Sequence, residues 1–209
     1  MWGWTKKAFS GSMIKIGGLT PLTTTDYPGC LSAVVFCQGC AWRCEYCHNA
    51  HLLDPGVPGR IEWDDVLNFL DRRKGLLDAV VFSGGEPLLQ KNLPGALMKV
   101  REMGFRTGLH TSGAYPERLE AAISLVDWVG MDVKAPFDMY ETVTHVPGSG
   151  RKAKKSVALI LESGIDCEFR TTAYRLANED ILRIEGELER LGAGHYKVQA
   201  YRSLSRMED

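Results

Sequence analysis

The sequence predicts an α/β fold: a partial (β/α)6 barrel of the TIM type, open on one side. Three observations carry this. Short apolar, β-branched runs alternate six times with segments of helical periodicity. Such alternation builds a parallel sheet with helices outside it. The polar residues richest in chemistry follow the predicted strands, at the carboxyl ends where parallel α/β folds place their sites. Alternation alone would also suit an open Rossmann-type sheet. A ring of six chemically loaded strand ends favours the barrel.

Ile14, Lys15 and Ile16 read as a short leading strand, and residues 20–29, rich in Thr, Pro and Gly, as a loop. Ser32–Cys37 is the first buried strand. A helix follows over 62–73, with Trp63, Val66, Leu67 and Leu70 at helical spacing. Residues 78–83 form strand two. Leu93, Leu97 and Val100 mark the next helix, stopped by Gly104. Strand three covers 106–110. Pro116 suits the first turn of a helix over 116–125. Strand four is 127–132, followed by a helix over 152–163 that Gly164 closes. Strand five is 166–171. Asn178 caps a helix in which Ile181, Ile184, Leu188 and Leu191 share a face, and Gly192 ends it. Strand six is 195–201. Residues 1–13, polar and containing Gly and Ser, read as a flexible N-terminal extension of one domain over 14–209.

A chain of 209 residues suits a single domain. A net charge of −1 offers no electrostatic footprint for nucleic acid. No apolar run reaches the length of a membrane span, and the first residues lack the apolar segment of a signal peptide. Four of the six cysteines fall within 37–47. That clustering reads as metal binding in the cytoplasm and not as a disulfide framework.

The cysteine stretch runs Cys37-Gln38-Gly39-Cys40-Ala41-Trp42-Arg43-Cys44-Glu45-Tyr46-Cys47-His48-Asn49. Cys40, Cys44 and Cys47 are spaced as three ligands of an iron–sulfur cluster. A four-iron cluster normally takes four cysteines, so three leave one iron open, as a catalytic metal requires. The competing reading adds Cys37, whose CxxC spacing with Cys40 allows all four thiolates to close a structural zinc site.

This stretch resembles the signature of the radical S-adenosylmethionine (SAM) superfamily. The longer run, from Thr24-Thr25-Asp26-Tyr27-Pro28-Gly29-Cys30 through Phe36–Cys40 to Tyr46-Cys47-His48-Asn49, is similar to the glycyl-radical-enzyme activases. It is most similar to the activating protein of anaerobic ribonucleoside-triphosphate reductase. The resemblance implies a [4Fe–4S] cluster on Cys40, Cys44 and Cys47, with Cys37 outside the ligand set. It also implies the partial-barrel core. SAM would chelate the open iron and split on reduction to a 5′-deoxyadenosyl radical, which takes hydrogen from a glycine of an anaerobic ribonucleotide reductase. A flavodoxin- or ferredoxin-type protein would donate the electron. No further cysteine lies between Cys47 and Glu62, where activases with added clusters carry them, so one cluster is expected.

Ser83-Gly84-Gly85-Glu86-Pro87 is the second strong signal. Two glycines let the backbone approach a ligand closely, and Glu86 offers a carboxylate where a ligand ammonium would sit. A Gly-Gly turn before a helix is also common, and an acid there also favours a helix N-terminus. The resemblance assigns this motif to the methionine amino group of SAM. Asp132-Val133-Lys134 puts a carboxylate and an ammonium on one side of an extended segment. Residues 132 and 134 would otherwise be a strand-end ion pair; the resemblance gives Lys134 to the SAM carboxylate or ribose and Asp132 to the polar floor. His110-Thr111-Ser112-Gly113 resembles the activase Asp-Thr-Asn-Gly segment, with His110 in place of the acid and Ser112 in place of the amide. By resemblance Tyr46 stacks on adenine. His48 takes a supporting role beside the ligands, and Arg202 stands where the family often has histidine. Arg170 lines the cavity or pairs with a strand-end acid. Two other functions remain open: a radical SAM enzyme for a small molecule, as in deazapurine synthesis, and a non-enzymatic zinc module.

Overall fold

A computed structural model describes residues 14–202. The expected extension over 1–13 lies outside them. Seven strands form one sheet in chain order: β1 (Ile16–Thr23), β2 (Ser32–Cys37), β3 (Ala79–Gly84), β4 (Arg106–Thr111), β5 (Trp128–Asp132), β6 (Asp166–Ala173) and β7 (Tyr196–Ala200). β1 is antiparallel to β2, and every later pairing is parallel. β1 and β7 stay unpaired with each other, so the sheet is open.

Strand order explains the curvature. Each crossover moves one place in the same direction, and parallel crossovers are right-handed. Right-handed steps that never reverse put every helix on one face, leaving the other face to curl inward. A doubly wound sheet would instead reverse its order partway. The helices α1 (Trp63–Asp71), α2 (Leu93–Glu102), α3 (Pro116–Ala122), α4 (Tyr140–Thr144), α5 (Ser149–Ser163) and α6 (Asn178–Leu191) complete the units. No helix among the described residues is long and apolar enough to cross a membrane.

Side-chain alternation sorts each strand into two layers. Ala33, Val35, Cys37, Val80, Phe82, Leu109, Val129, Met131 and Phe169 pack into the main core with helix residues such as Val66, Leu97, Leu119 and Val157. Val34, Ala79, Val81 and Trp128 form a second, smaller cluster with Tyr27 and Cys30. Tyr27 lies 5.4 Å from Trp128, ring centre to ring centre, and the Cβ that Gly108 lacks would stand 3.1 Å from its ring.

The first elements differ from expectation. The leading strand extends over Ile16–Thr23, through part of the expected loop. Gly17, Gly18 and Pro21 weaken its strand propensity, but pairing with β2 through two register shifts overrides it. Gly17 also has no room for a side chain, because a Cβ would meet Leu52 at 2.2 Å. The helix expected over 116–125 ends at Ala122 and tightens into a 3₁₀ turn, Ile123–Leu125. α5 starts at Ser149, three residues before the expected 152, and the short α4 was not expected.

Phe82 is wholly buried between sheet and helices. Phe82→Ala should destabilise the chain by about 3–5 kcal/mol, read from denaturant unfolding; a loss under about 1 kcal/mol would contradict this packing.

Candidate functional site

The cysteine loop leaves the carboxyl end of β2, and the Ser83-Gly84-Gly85 turn leaves that of β3. The two are pressed backbone to backbone. Cys37 pairs in register with Gly84. Gly85 N donates to Cys37 O at 2.9 Å, and Glu86 N to Gly39 O at 2.9 Å. A Cβ on Gly84, whose φ is +112°, would stand 2.4 Å from Cys37 N. One on Gly85 would stand 2.3 Å from Gly39 O. Both glycines are therefore demanded by the cysteine loop itself.

A cleft of about 150 Å³ opens above this contact. Cys40, Cys44 and Cys47 all line it, with Tyr46 and His48 between and beside them. Ser83, Gly84 and Gly85 also line it, as do His110, Ser112, Asp132 and Lys134. These expected site residues, from four strand ends, are thus brought together. Cys37 is not. Its thiol is 0% exposed and packs on the helix side of the sheet. Among the described residues no three His, Cys, Asp or Glu side chains converge on one metal ion.

Three expected residues do not line the cleft. Glu86 is 0% exposed, and its carboxylate is saturated from within. Oε1 accepts from Leu88 N (3.1 Å) and Thr111 Oγ1 (2.8 Å). Oε2 accepts from Ser112 N (2.9 Å) and Ser112 Oγ (2.5 Å). The expected ammonium acceptor is instead a clamp that ties the β3 turn to the end of β4. Burial raises its pKa, against the pull of those four donors. Pro87 is buried in the first position of a 3₁₀ turn. The Arg202 side chain is exposed, and only its carbonyl reaches the loop, at 2.9 Å from His48 Nε2.

The polar floor is an ion network. Lys134 Nζ lies 3.5 Å from Asp132 Oδ2, and Arg170 Nη2 lies 3.3 Å from Asp132 Oδ1. Arg170 therefore pairs with the strand-end acid, and Gly130 leaves space for its guanidinium. Burial works against the Lys134 charge, but Tyr46, Asp132 and Cys44 hold its pKa well above the usual lysine value. The ammonium also sits 5.6 Å from the centre of the Tyr46 ring. His110 Nε2 lies 2.9 Å from Asp26 O; a carbonyl only accepts, so this nitrogen carries the proton. Burial and the Arg170 charge push the His110 pKa down to about 4. Burial likewise pushes the Cys40 thiol up to about 12 and raises Cys44. Those two thiols would then shed protons on taking a metal.

Trp42, Asn49, Leu53, Thr111 and Thr172 also line the cleft. Asn49 donates through Nδ2 to Gly84 O at 3.2 Å, and its place two residues past Cys47 was the available signal. Trp42 N donates to Cys40 Sγ at 3.4 Å, a contact that no spacing pattern announces.

The residues present fit an iron–sulfur cluster with an adenosyl ligand. Three thiols open onto one cleft, one of them already holds a backbone N–H donor, and a cation and a ring stand beside them. The fold and site together define an α/β partial barrel with a cysteine-lined cleft at its carboxyl end. The family model of the Radical SAM superfamily matches residues 34–186, and the chain belongs to that superfamily. It is 34% identical over 164 residues to MJ1227 of Methanocaldococcus jannaschii, a protein assigned as a glycyl-radical enzyme activating enzyme, covering 75% of this chain and 67% of that one. It is 32% identical over 146 residues to the pyruvate formate-lyase-activating enzyme of Clostridium pasteurianum, covering 67% of this chain and 60% of that one. The chain thus matches less than two thirds of the latter's length. Among solved structures, anSMEcpe with bound AdoMet has a TM-score of 0.65 at 14% identity, covering 79% of this chain and 48% of that one. QueE from Escherichia coli has a TM-score of 0.51 at 14% identity, covering 91% and 94%. These two likenesses show the fold. The superfamily implies SAM and a [4Fe–4S] cluster as cofactors.

Two outcomes follow from the clamp and the buried histidine. Glu86→Ala leaves Ser112 N and Thr111 Oγ1 without their acceptor and should cost about 2–4 kcal/mol of stability, read by urea unfolding; an unchanged midpoint would contradict the clamp. His110 has a folded-state pKa below its unfolded value, so its contribution is complete above about pH 6.5 and is lost as pH falls towards 4. The ligand-free chain should lose about 3 kcal/mol more than His110→Asn over that window; parallel pH–stability curves for the two proteins would contradict it.

Proposed function

We propose that this protein is a radical SAM activase that forms a glycyl radical on a partner enzyme, and that the partner is an anaerobic ribonucleotide reductase. The observation that carries this is the convergence of Cys40, Cys44 and Cys47, with Lys134 and Tyr46, on one cleft at the carboxyl end of a sheet that stays open. The similarity to activating enzymes favours a protein glycine over a free metabolite. The resemblance of the runs 24–30, 36–40 and 46–49 favours the reductase as partner.

In this reading Cys40, Cys44 and Cys47 would hold one four-iron cluster, three thiolates where four are usual. When bound and reduced by a flavodoxin- or ferredoxin-type donor, the cluster and SAM supply a carbon-centred radical by one-electron cleavage of the sulfonium. Lys134 neutralises the ligand carboxylate, and Asp132 with Arg170 keeps that ammonium in place. The Gly84-Gly85 backbone, bare of side chains, would take the methionyl end. Tyr46 offers its ring to adenine, and His48, through Arg202 O, steadies the loop beside it. Tyr174 packs 5.1 Å from Tyr46, and Tyr201 packs 4.8 Å from Tyr174, so three aromatic rings follow one another along that side of the rim. A glycine on an extended segment would enter through the mouth of the cleft at the carboxyl end of the sheet.

Incubated anaerobically with SAM, a reductant and an anaerobic ribonucleotide reductase, the protein should generate a glycyl radical doublet by electron paramagnetic resonance. Cys44→Ala should abolish the signal, and Cys37→Ala should keep most of it. Turnover of a free metabolite with no radical on the reductase would overturn the reading, as would a dead Cys37→Ala beside an active Cys44→Ala.

A further inference from the structure

α5 begins against its own electrostatics. The N-terminus of a helix carries partial positive charge and favours acids. Here the first turn holds no acid, and Arg151, Lys152, Lys154 and Lys155 crowd the first two turns, all exposed. Only Lys155 has a carboxylate partner, Glu117 at 3.0 Å; among the described residues Arg151, Lys152 and Lys154 form no ion pair. Two acids compensate in part: Glu141 Oε1 accepts from Gly148 N at the cap, at 2.6 Å, and Glu117 faces Lys152 as well as Lys155. The unpaired cations exceed what the helix end requires, which marks a place where function, and not folding, sets the residue types.

This end of α5 lies at the level of the site. Ser156, in its second turn, donates to Gly113 O just beyond β4 at 2.9 Å. The preceding turn is joined to the cysteine loop, since Arg43 N donates to Thr144 O at 3.0 Å and Thr144 Oγ1 bonds Ser149 Oγ at 2.7 Å. Arg43 is a fifth exposed cation on the same side. Its Nη1 donates to Cys40 O at 2.7 Å and to Trp42 O at 2.9 Å. Arg151 folds against the other side of that turn, its Nη2 3.4 Å from where Gly148 would carry a Cβ. Exposed cations therefore run from α5 to the backbone of Cys40 and outnumber the acids among them, Glu117 and Glu141.

We infer that this face docks the protein that reduces the cluster, and that this donor is acidic where it binds. The inference rests on the radical SAM reading of the cleft and names a surface for the donor. One electron leaves the donor, which is oxidised by one, and reaches the cluster, which is reduced by one; no proton or group moves with it. Opposite charge raises the encounter rate and makes it salt-dependent. Arg43 places the point of contact one hydrogen bond from the Cys40 backbone.

The test is the combined variant Arg151→Glu, Lys152→Glu, Lys154→Glu. Acids at these positions suit the helix N-terminus, so the variant should fold with an unchanged or higher Tm. A second variant, Arg72→Glu with Lys99→Glu, reverses charge at the opposite end of the barrel as a control. The probe is a reduced, acidic flavodoxin, with dithionite as a small reductant that needs no docking. Flavodoxin binding, measured by calorimetry at low and high salt, should weaken about tenfold or more in the α5 variant and lose its salt dependence. Flavodoxin-driven 5′-deoxyadenosine formation should fall in step, while dithionite-driven formation and the control variant stay at the unaltered level. Equal flavodoxin binding by the unaltered chain and the α5 variant would overturn the docking face. Absence of 5′-deoxyadenosine with dithionite in the unaltered chain would instead overturn the underlying reading, and the binding titration would still decide the surface.

Discussion

The structure depends on one close approach: the backbone of Cys37 and Gly39 lies directly against Gly84 and Gly85. No side chain fits between them. That contact joins the start of the cysteine loop to the end of β3 and fixes where the three site thiols can stand. It also ties the site to the sheet register, because Cys37 and Gly84 are paired residues of neighbouring parallel strands. A side chain at either glycine would displace the loop, and with it the cleft.

From that contact the site is assembled outward by buried polar groups. Glu86 carries the constraint to β4 through Thr111 and Ser112. Asp132 gathers Lys134 and Arg170 at the ends of β5 and β6. His110 joins the floor to the 24–29 segment through Asp26 O. Each group has its partner inside the protein, so the cleft is shaped before any ligand enters. Such preorganisation suits chemistry in which the cofactors react and the chain positions and shields them.

Much of the fold was legible because the apolar runs are short, β-branched and regularly spaced. β2 over Ser32–Cys37 matches its expected bounds, since its unbroken apolar run is buried on both faces. β1 was less legible: Gly17, Gly18 and Pro21 disguise a strand that only its partner stabilises. Of the residues that line the cleft, spacing had singled out Cys40, Cys44 and Cys47, and the family resemblance Lys134 and Tyr46. The inward turn of Glu86 was not legible, because its partners Thr111 and Ser112 come from a strand about 25 residues away and only the folded register aligns them. The separate fate of Cys37 follows from alternation along β2, which sends residues 33, 35 and 37 to the helix side.

The most direct measurement is made without oxygen. The protein is reconstituted with iron and sulfide, reduced with dithionite and given SAM, and the products are separated by chromatography. The account predicts 5′-deoxyadenosine and methionine, with about four irons per chain. A colourless protein that carries a single zinc and leaves SAM intact would contradict it.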